Sequence, residues 1–225
     1  RRVYAKIMKE RFGARNPESM RLRFHCQTAA ASLTKPQYKV NIVRTALQAL
    51  AAVLGGAQSL HTNGMDEAFA IPTEEAMRIA LRTQQVVAEE SGVASVVDPL
   101  GGSYYVESLT TQYEKAIFAV IDEVDRSGGT VRLTEEGWFQ RRIADFAYDT
   151  ALKKASGEKA VLGVNRYVDP NESFEDVELH PYDPSTATRQ IERLDRVRRA
   201  RDEARVQRLL DRLFEEARDE SRNLM

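Results

Sequence analysis

The chain has 225 residues, 42% hydrophobic and 30% charged, with 33 basic side chains against 34 acidic ones and a net charge of −1. That balance describes a globular chain and offers no basic face to nucleic acid or to an anionic membrane. A lone cysteine, Cys26, excludes an internal disulfide framework and suits a reducing cytoplasm; no apolar run nears the roughly 20 residues that cross a bilayer, and no signal peptide opens the chain.

In chain order, RRVYAKIMKERFGARNPES reads as a short helix ending near Gly13, with a break at Asn16-Pro17. MRLRFHCQT alternates as a strand through Leu22, Phe24 and Cys26 and runs into the small-residue loop AAASLTKPQ. From Tyr38 to Leu54, Val40, Val43, Leu47, Leu50 and Val53 recur at spacings of three and four, which predicts a helix stopped by Gly55-Gly56. Ala57 to Thr62 fits a second strand. Pro72-Thr73-Glu74-Glu75 then opens a helix: Thr73 can cap it, and the two acids sit at its positive end. Ala76, Ile79, Ala80, Thr83, Val86 and Val87 form its expected buried face. Strand, helix, strand, helix with short connections is the pattern of a parallel sheet or barrel.

VVDPLGGSYYVE is turn-rich. Two helices follow, about Leu109 to Arg126 and Glu135 to Ala155, bounded by Gly128-Gly129 and Gly157. AVLGVNRYV is expected to be a strand or an extended segment. From Asp169 to Ser185 the chain is acidic and proline-punctuated, a linker. Beyond it, Ile191, Leu194, Val197, Leu209, Leu210, Leu213 and Phe214 make a thin apolar stripe, expected as a helical hairpin or two packed helices.

An eight-fold α/β barrel takes about 250 residues. Only two strand–helix units occupy the first hundred residues here, and alone they leave sheet edges and apolar faces uncovered. Either another chain completes the sheet or this is a piece of something longer; the second is the expectation.

In a parallel barrel, ligands meet the chain just beyond the strands' C-terminal ends. Gln27, Thr28 and Ala29 to Ala31 follow the first strand. Gln58 to Asn63, then Asp66-Glu67, take the corresponding place after the second. Amides and hydroxyls hold carbonyls and hydroxyls without moving protons, which suits a site where a cofactor carries the reactivity. The same groups can instead satisfy loop backbone or one another. His25, His61, His180 and Cys26 have no zinc-site spacing and read as structural. Leu54-Gly56 and Pro99-Gly102 lack phosphate-loop frames, and no Ser-His-Asp order can be defended.

The blocks RFHCQTAAASLT, NIVRTALQALAAVLGGAQSLHTNGMDEAFAIPT, EESGVASVVDPLGGSYYVESLT and VLGVNRY together resemble the adenosylcobalamin-dependent acyl-CoA mutase family, over about Arg1 to Tyr167. LTKPQY, HTNGMDEAFAIPTEEAM and GWFQRRIADFAY look most like its 2-hydroxyisobutyryl-CoA branch. The resemblance implies the C-terminal part of a (β/α)8 TIM-type barrel with a helical extension: residues 1–168 in the acyl-CoA-binding barrel and following helices, 169–185 a linker, 186–225 a helical tail. It implies a radical 1,2-rearrangement of a short branched acyl-CoA, with methylmalonyl-CoA or isobutyryl-CoA as alternative substrates and a non-catalytic assembly module as the alternative role. Partners implied are the acyl-CoA, the rest of the barrel and a cobalamin-binding small subunit or domain. By position, Gln27, Gln58 and Arg23 resemble acyl-CoA contacts; Asn63 and Glu67 resemble contacts on the adenosylcobalamin side, Glu67 to its ribose; Ala30, Ala70 and Ile71 resemble cobalamin-lining positions. Ala30 stands where the family often has glycine. The family's active-site histidine lies upstream of Arg1 and the cobalt-binding D-x-H-x-x-G frame is absent, so no catalytic or metal-binding residue is assigned and the chain is not expected to turn over alone.

Overall fold

The computed structural model describes residues 1–175, 177–219 and 221–222, in two compact units, Arg1–His180 and Pro181–Met225. In the first unit, helix α1 (Arg2–Glu10) precedes a parallel pair of strands, β1 (His25–Gln27) and β2 (Ser59–His61). His25 lies opposite Ser59, Cys26 opposite Leu60 and Gln27 opposite His61. Helix α2 (Asn41–Leu54) crosses between the strands, and α3 (Glu74–Glu89) follows β2. The strand–helix–strand–helix order therefore stands, on strands of three residues each. Among the described residues these two strands are the whole sheet, and the chain is mostly helical.

The first strand is shorter than its alternation suggests. Pro17–Met20 is taken by a 3-10 turn whose start is capped by Asn16, Oδ1 accepting from Glu18 N–H at 3.0 Å. The N–H of Phe24 is met by the side chain of Gln58 rather than by a backbone carbonyl. A strand needs a ladder partner, and Leu22 to Phe24 have little of one.

Thr73 caps α3 as expected, Oγ1 accepting from Ala76 N–H at 3.2 Å, with Glu74 and Glu75 in the first turn. Ala76, Ala80, Thr83 and Val87 are buried as read; Val86 is exposed. Thr62 Oγ1 donates to the Ala80 carbonyl at 2.7 Å, tying the end of β2 to this face. The apolar residues that reveal α2 in the sequence do not form its buried face. Asn41, Thr45 and Ala49 do, while Val43 and Leu47 are 57% and 64% exposed. Small and polar side chains at spacings of four let α2 approach α3 and the loops closely.

Helix α4 (Tyr104–Arg126) starts five residues earlier than its apolar pattern, directly after the Gly102 turn. It holds α1 through Glu114, which accepts from Arg2 Nε at 2.6 Å and pairs with Lys6 Nζ; Arg11 and Asp125 meet at 2.8 Å. The Gly128-Gly129 stop is followed at once by α5 (Gly129–Glu135), anchored by buried Leu133. Helix α6 (Trp138–Ala155) packs its Trp138 against Phe139 and under Arg142, which also bonds Glu123 at 2.8 and 2.9 Å.

AVLGVNRYV is not a strand. The carbonyl of Val161 accepts from Val164, Asn165 and Arg166, Gly163 is left-handed, and Asn165 donates to the carbonyls of Lys154 and Lys159. A β-branched apolar run suggested extension, but Gly163 and the Asn165 amide turn it back on itself. Past it, Phe174 packs edge-on against Phe69, which does the same to Tyr38, and His180 Nδ1 lies 3.2 Å from the Pro72 carbonyl.

The second unit holds α7 (Ser185–Ala200) and α8 (Glu203–Glu216), separated at Asp202, which caps α8 by accepting from Arg205 N–H at 2.9 Å. Its apolar stripe is exposed along both helices. No described helix is long and apolar enough to cross a membrane. The exposed surface is 17441 Å², whereas separate compact bodies of these two sizes would expose about 12,000 Å² together. Much apolar surface is therefore uncovered.

Candidate functional site

The two strands run in the same direction, so the sheet has two distinct ends, and polar residues collect at both. At the C-terminal end, Thr28 Oγ1 donates to Asn63 Oδ1 at 2.6 Å and accepts from Asn63 N–H at 3.0 Å. Both residues are buried. This double bond fixes the exit of β1 against the exit of β2. Asn41, fully buried at the start of α2, then joins the loops themselves: its Nδ2 donates to the carbonyls of Thr34 and Met65, each at 2.9 Å, and its Oδ1 accepts from Thr34 N–H at 3.1 Å. Gln48 secures the first loop again, accepting from Ala29 N–H at 2.6 Å and donating to Ser32 Oγ at 2.7 Å.

On this frame the expected site residues fall into two groups. Gln27, Ala30, Asn63, Glu67, Ala70 and Ile71 all belong to the C-terminal end or to the two loops leaving it. Gln27 is exposed and Glu67 half-buried, and neither side chain has a bonding partner among the described residues. Ala30, Ala70 and Ile71 are exposed. Asn63 Nδ2 and Asp66 Oδ1 are buried and likewise unpaired among the described residues. Buried polar atoms are normally satisfied, so Asn63 Nδ2 marks a place where another group is expected to enter, while Asp66 Oδ1 is packed against Gly64.

Gln58 and Arg23 lie at the opposite end. Gln58 precedes β2, its Oε1 accepting from Phe24 N–H at 3.0 Å and its Nε2 donating to the Gly56 carbonyl at 2.7 Å. Together with Arg1, Arg2 and Arg21, these two residues line a cavity of about 470 Å³. Arg21 and Arg23 share Glu18, at 2.7 and 3.2 Å. Guanidinium groups in excess over carboxylates make this end a place for an anion. Sequence order alone had put Gln58 with Asn63; the register separates them by the length of the strand.

His25 Nδ1 bonds Ser59 Oγ across the sheet at 2.8 Å. Among the described residues no three His, Cys, Asp or Glu side chains come together to hold a metal ion. The sequence reading missed Asn41 and Gln48. Their signal was present: polar side chains at 41, 45 and 48 recur at helical spacing inside an apolar helix, which is how a buried polar seam looks.

The family model described as methylmalonyl-CoA mutase matches residues 1–225. The chain is 72% identical, over all 225 residues, to the 2-hydroxyisobutanoyl-CoA mutase large subunit of Aquincola tertiaricarbonis, covering 40% of that protein. It is 40% identical over its full length to the mitochondrial methylmalonyl-CoA mutase of Homo sapiens and 41% identical to the methylmalonyl-CoA mutase of Rhizobium meliloti (strain 1021), covering 30% and 31% of them. It thus spans well under half the length of these relatives. With a family match across every residue, the chain belongs to the methylmalonyl-CoA mutase family.

Proposed function

We propose that this chain is part of the acyl-CoA-binding subunit of an adenosylcobalamin-dependent mutase, acting on a short branched acyl-CoA of the 2-hydroxyisobutyryl-CoA/3-hydroxybutyryl-CoA type. The observation that carries the reading is the 72% identity to a 2-hydroxyisobutanoyl-CoA mutase large subunit along the entire chain. The parallel pair is read as part of a (β/α)8 barrel, with residues 1–168 in the barrel and its following helices, 169–185 a connector and 186–225 a helical tail. The exposed faces of α2 and α3 support that reading, since a barrel's remaining units would cover them. A large subunit also implies a small one, here the cobalamin-binding partner, and a cytoplasmic setting fits the lone cysteine.

The two ends of the sheet suit the two ends of the reaction. Arg23 and its neighbouring arginines would hold the nucleotide phosphates of the thioester, with Gln58 fixed to present its outer edge beside them. The thioester would then run along the strands, about 10 Å at roughly 3.3 Å per residue, to Gln27. Gln27 has both a donor and an acceptor free for a thioester carbonyl or hydroxyl. The C-terminal end fits the cofactor on this structure's own terms: Asn63 Nδ2 is buried and unpaired among the described residues, Glu67 offers a carboxylate for ribose hydroxyls, and Ala30 and Ala70 leave room for a flat macrocycle. Ile71 would shield the rim from water. Bound adenosylcobalamin supplies the hydrogen-atom chemistry of the rearrangement. No residue of this chain need move a proton; its part is to bind, orient and exclude water.

The test is turnover of 2-hydroxyisobutanoyl-CoA by the complete large subunit with its small subunit and adenosylcobalamin, alongside methylmalonyl-CoA and isobutyryl-CoA. Gln27→Ala and Glu67→Ala are expected to lower turnover while the assembly stays intact. Turnover that falls only in proportion to lost assembly would instead make this region a recruiting module.

A further inference from the structure

The two ends of the loop that carries Glu67, Ala70 and Ile71 are joined to each other through one side chain. Asp66 begins it and Thr73 ends it. Asp66 Oδ2 accepts from Thr73 N–H at 2.8 Å, and the Asp66 carbonyl accepts from Phe69 N–H at 2.8 Å and Ala70 N–H at 3.4 Å. Thr73 in turn caps α3. Asp66 is 4% exposed, on a loop whose neighbouring side chains are half-buried or open.

The space around Asp66 is equally constrained. A methyl added at Gly64 would stand 2.7 Å from Asp66 Oδ1, 3.0 Å from Pro72 Cβ and 3.3 Å from Ala76 Cβ. Both ends of the loop and the first turn of α3 thus converge on the Cα of Gly64, where only glycine leaves room. A buried carboxylate holding a single neutral N–H is an expensive way to close a turn. Its placement one residue before Glu67 gives that expense a purpose.

We infer that Asp66 is a positioning residue: it staples the loop shut so that Glu67 and Ala70 are presented in fixed positions at the end of the sheet. This rests on the functional reading above. Glu67 touches the cofactor in that reading; Asp66 acts only through the loop.

The complete two-subunit enzyme provides the test, with two readouts. One is hydrogen exchange at the Ala70 and Thr73 amides without cofactor. The other is steady-state turnover of 2-hydroxyisobutanoyl-CoA at saturating adenosylcobalamin. Asp66→Ala is expected to speed exchange at both amides and to lower kcat by about 10- to 100-fold, the cost of a small misplacement, with KM for the thioester within about twofold because that end of the sheet is untouched. Asp66→Asn keeps an acceptor for Thr73 and is expected to restore both readouts. Should Asp66→Ala not fold, Gly64→Ala spreads the same staple without removing a polar group and is expected to give the same pair of changes. Wild-type exchange and kcat in the alanine variants would overturn the proposal, as would an Asp66→Asn enzyme as impaired as Asp66→Ala. The exchange readout stands even if the wild-type enzyme proves to rearrange a different thioester, so failure of the functional reading is separable.

Discussion

Gln37 and Tyr167, 130 positions apart, both hold left-handed backbone, at φ 49° and 51°, and are joined by a 2.7 Å hydrogen bond from Gln37 Nε2 to the Tyr167 carbonyl. The Gln37 N–H also donates to Glu172 Oε1 at 2.5 Å. The loop after β1 is therefore gripped by a segment far along the chain, at a backbone geometry that costs a non-glycine residue roughly 1 kcal/mol. Replacing Gln37 by Ala removes the side-chain bond and keeps the strain, an expected loss of about 1 kcal/mol. Replacing it by Gly removes the same bond but relieves the strain, and should come out near neutral. Urea unfolding that ranks Ala at or above Gly would refute this account.

One turn apart on α2, Asn41 and Thr45 are both buried, yet they should respond in opposite ways. Asn41→Ala strands the Thr34 N–H and the Thr34 and Met65 carbonyls, so a loss of about 3 kcal/mol is expected. Thr45 Oγ1 has no partner among the described residues. Thr45→Val then removes an unsatisfied hydroxyl at constant shape and should raise stability by up to about 1 kcal/mol. Denaturant midpoints for the two variants, measured at equal slope, decide both.

The same residues show what could be read beforehand. The alternation of β1 and a short second strand, on either side of a period-3.6 segment, disclosed the parallel unit, and Thr73 with its two acids disclosed the start of α3, because each is a local preference written in neighbouring residues. Gln58 and Asn63 lie in one short run, which groups them by sequence alone. Strand register, a long-range property, puts them at opposite ends. Val43 and Leu47 look like core by period alone, since a sequence does not say which of two faces its own chain covers. AVLGVNRYV carries strand propensity at its apolar and aromatic positions, yet Asn165 and Gly163 override it.

Glu114 links α1 to α4 through Lys6 and Arg2. The hydrogen bond from Lys6, foremost, and the charges of Arg2 and Lys6 hold its carboxyl below the usual glutamate value, against the opposing pull of burial. A carboxylate whose folded pKa is depressed contributes its stability in full above the ordinary value and loses it as pH falls through the folded one. Thermal melts should therefore show α1 loosening only on the acid side of the ordinary glutamate range. Glu114→Gln should lower the neutral-pH melting temperature and flatten that acid-side slope; a slope identical to wild type would assign the acid loss to other carboxylates.

Val43 and Leu47 offer a measurement whose answer depends on how much chain is present. Within residues 1–225 they are more than half exposed, so Val43→Asp and Leu47→Asp should each change the stability of this region alone by no more than about 0.5 kcal/mol. If neighbouring barrel units cover α2 in the complete subunit, the same aspartates must be buried without partners. Each should then cost at least about 2 kcal/mol through lost apolar contact and carboxylate desolvation. The comparison cancels any intrinsic helix effect of aspartate, because the local helix is the same in both settings. Equal and small effects in both would mean that this face stays in water, and that the barrel closes elsewhere or not at all.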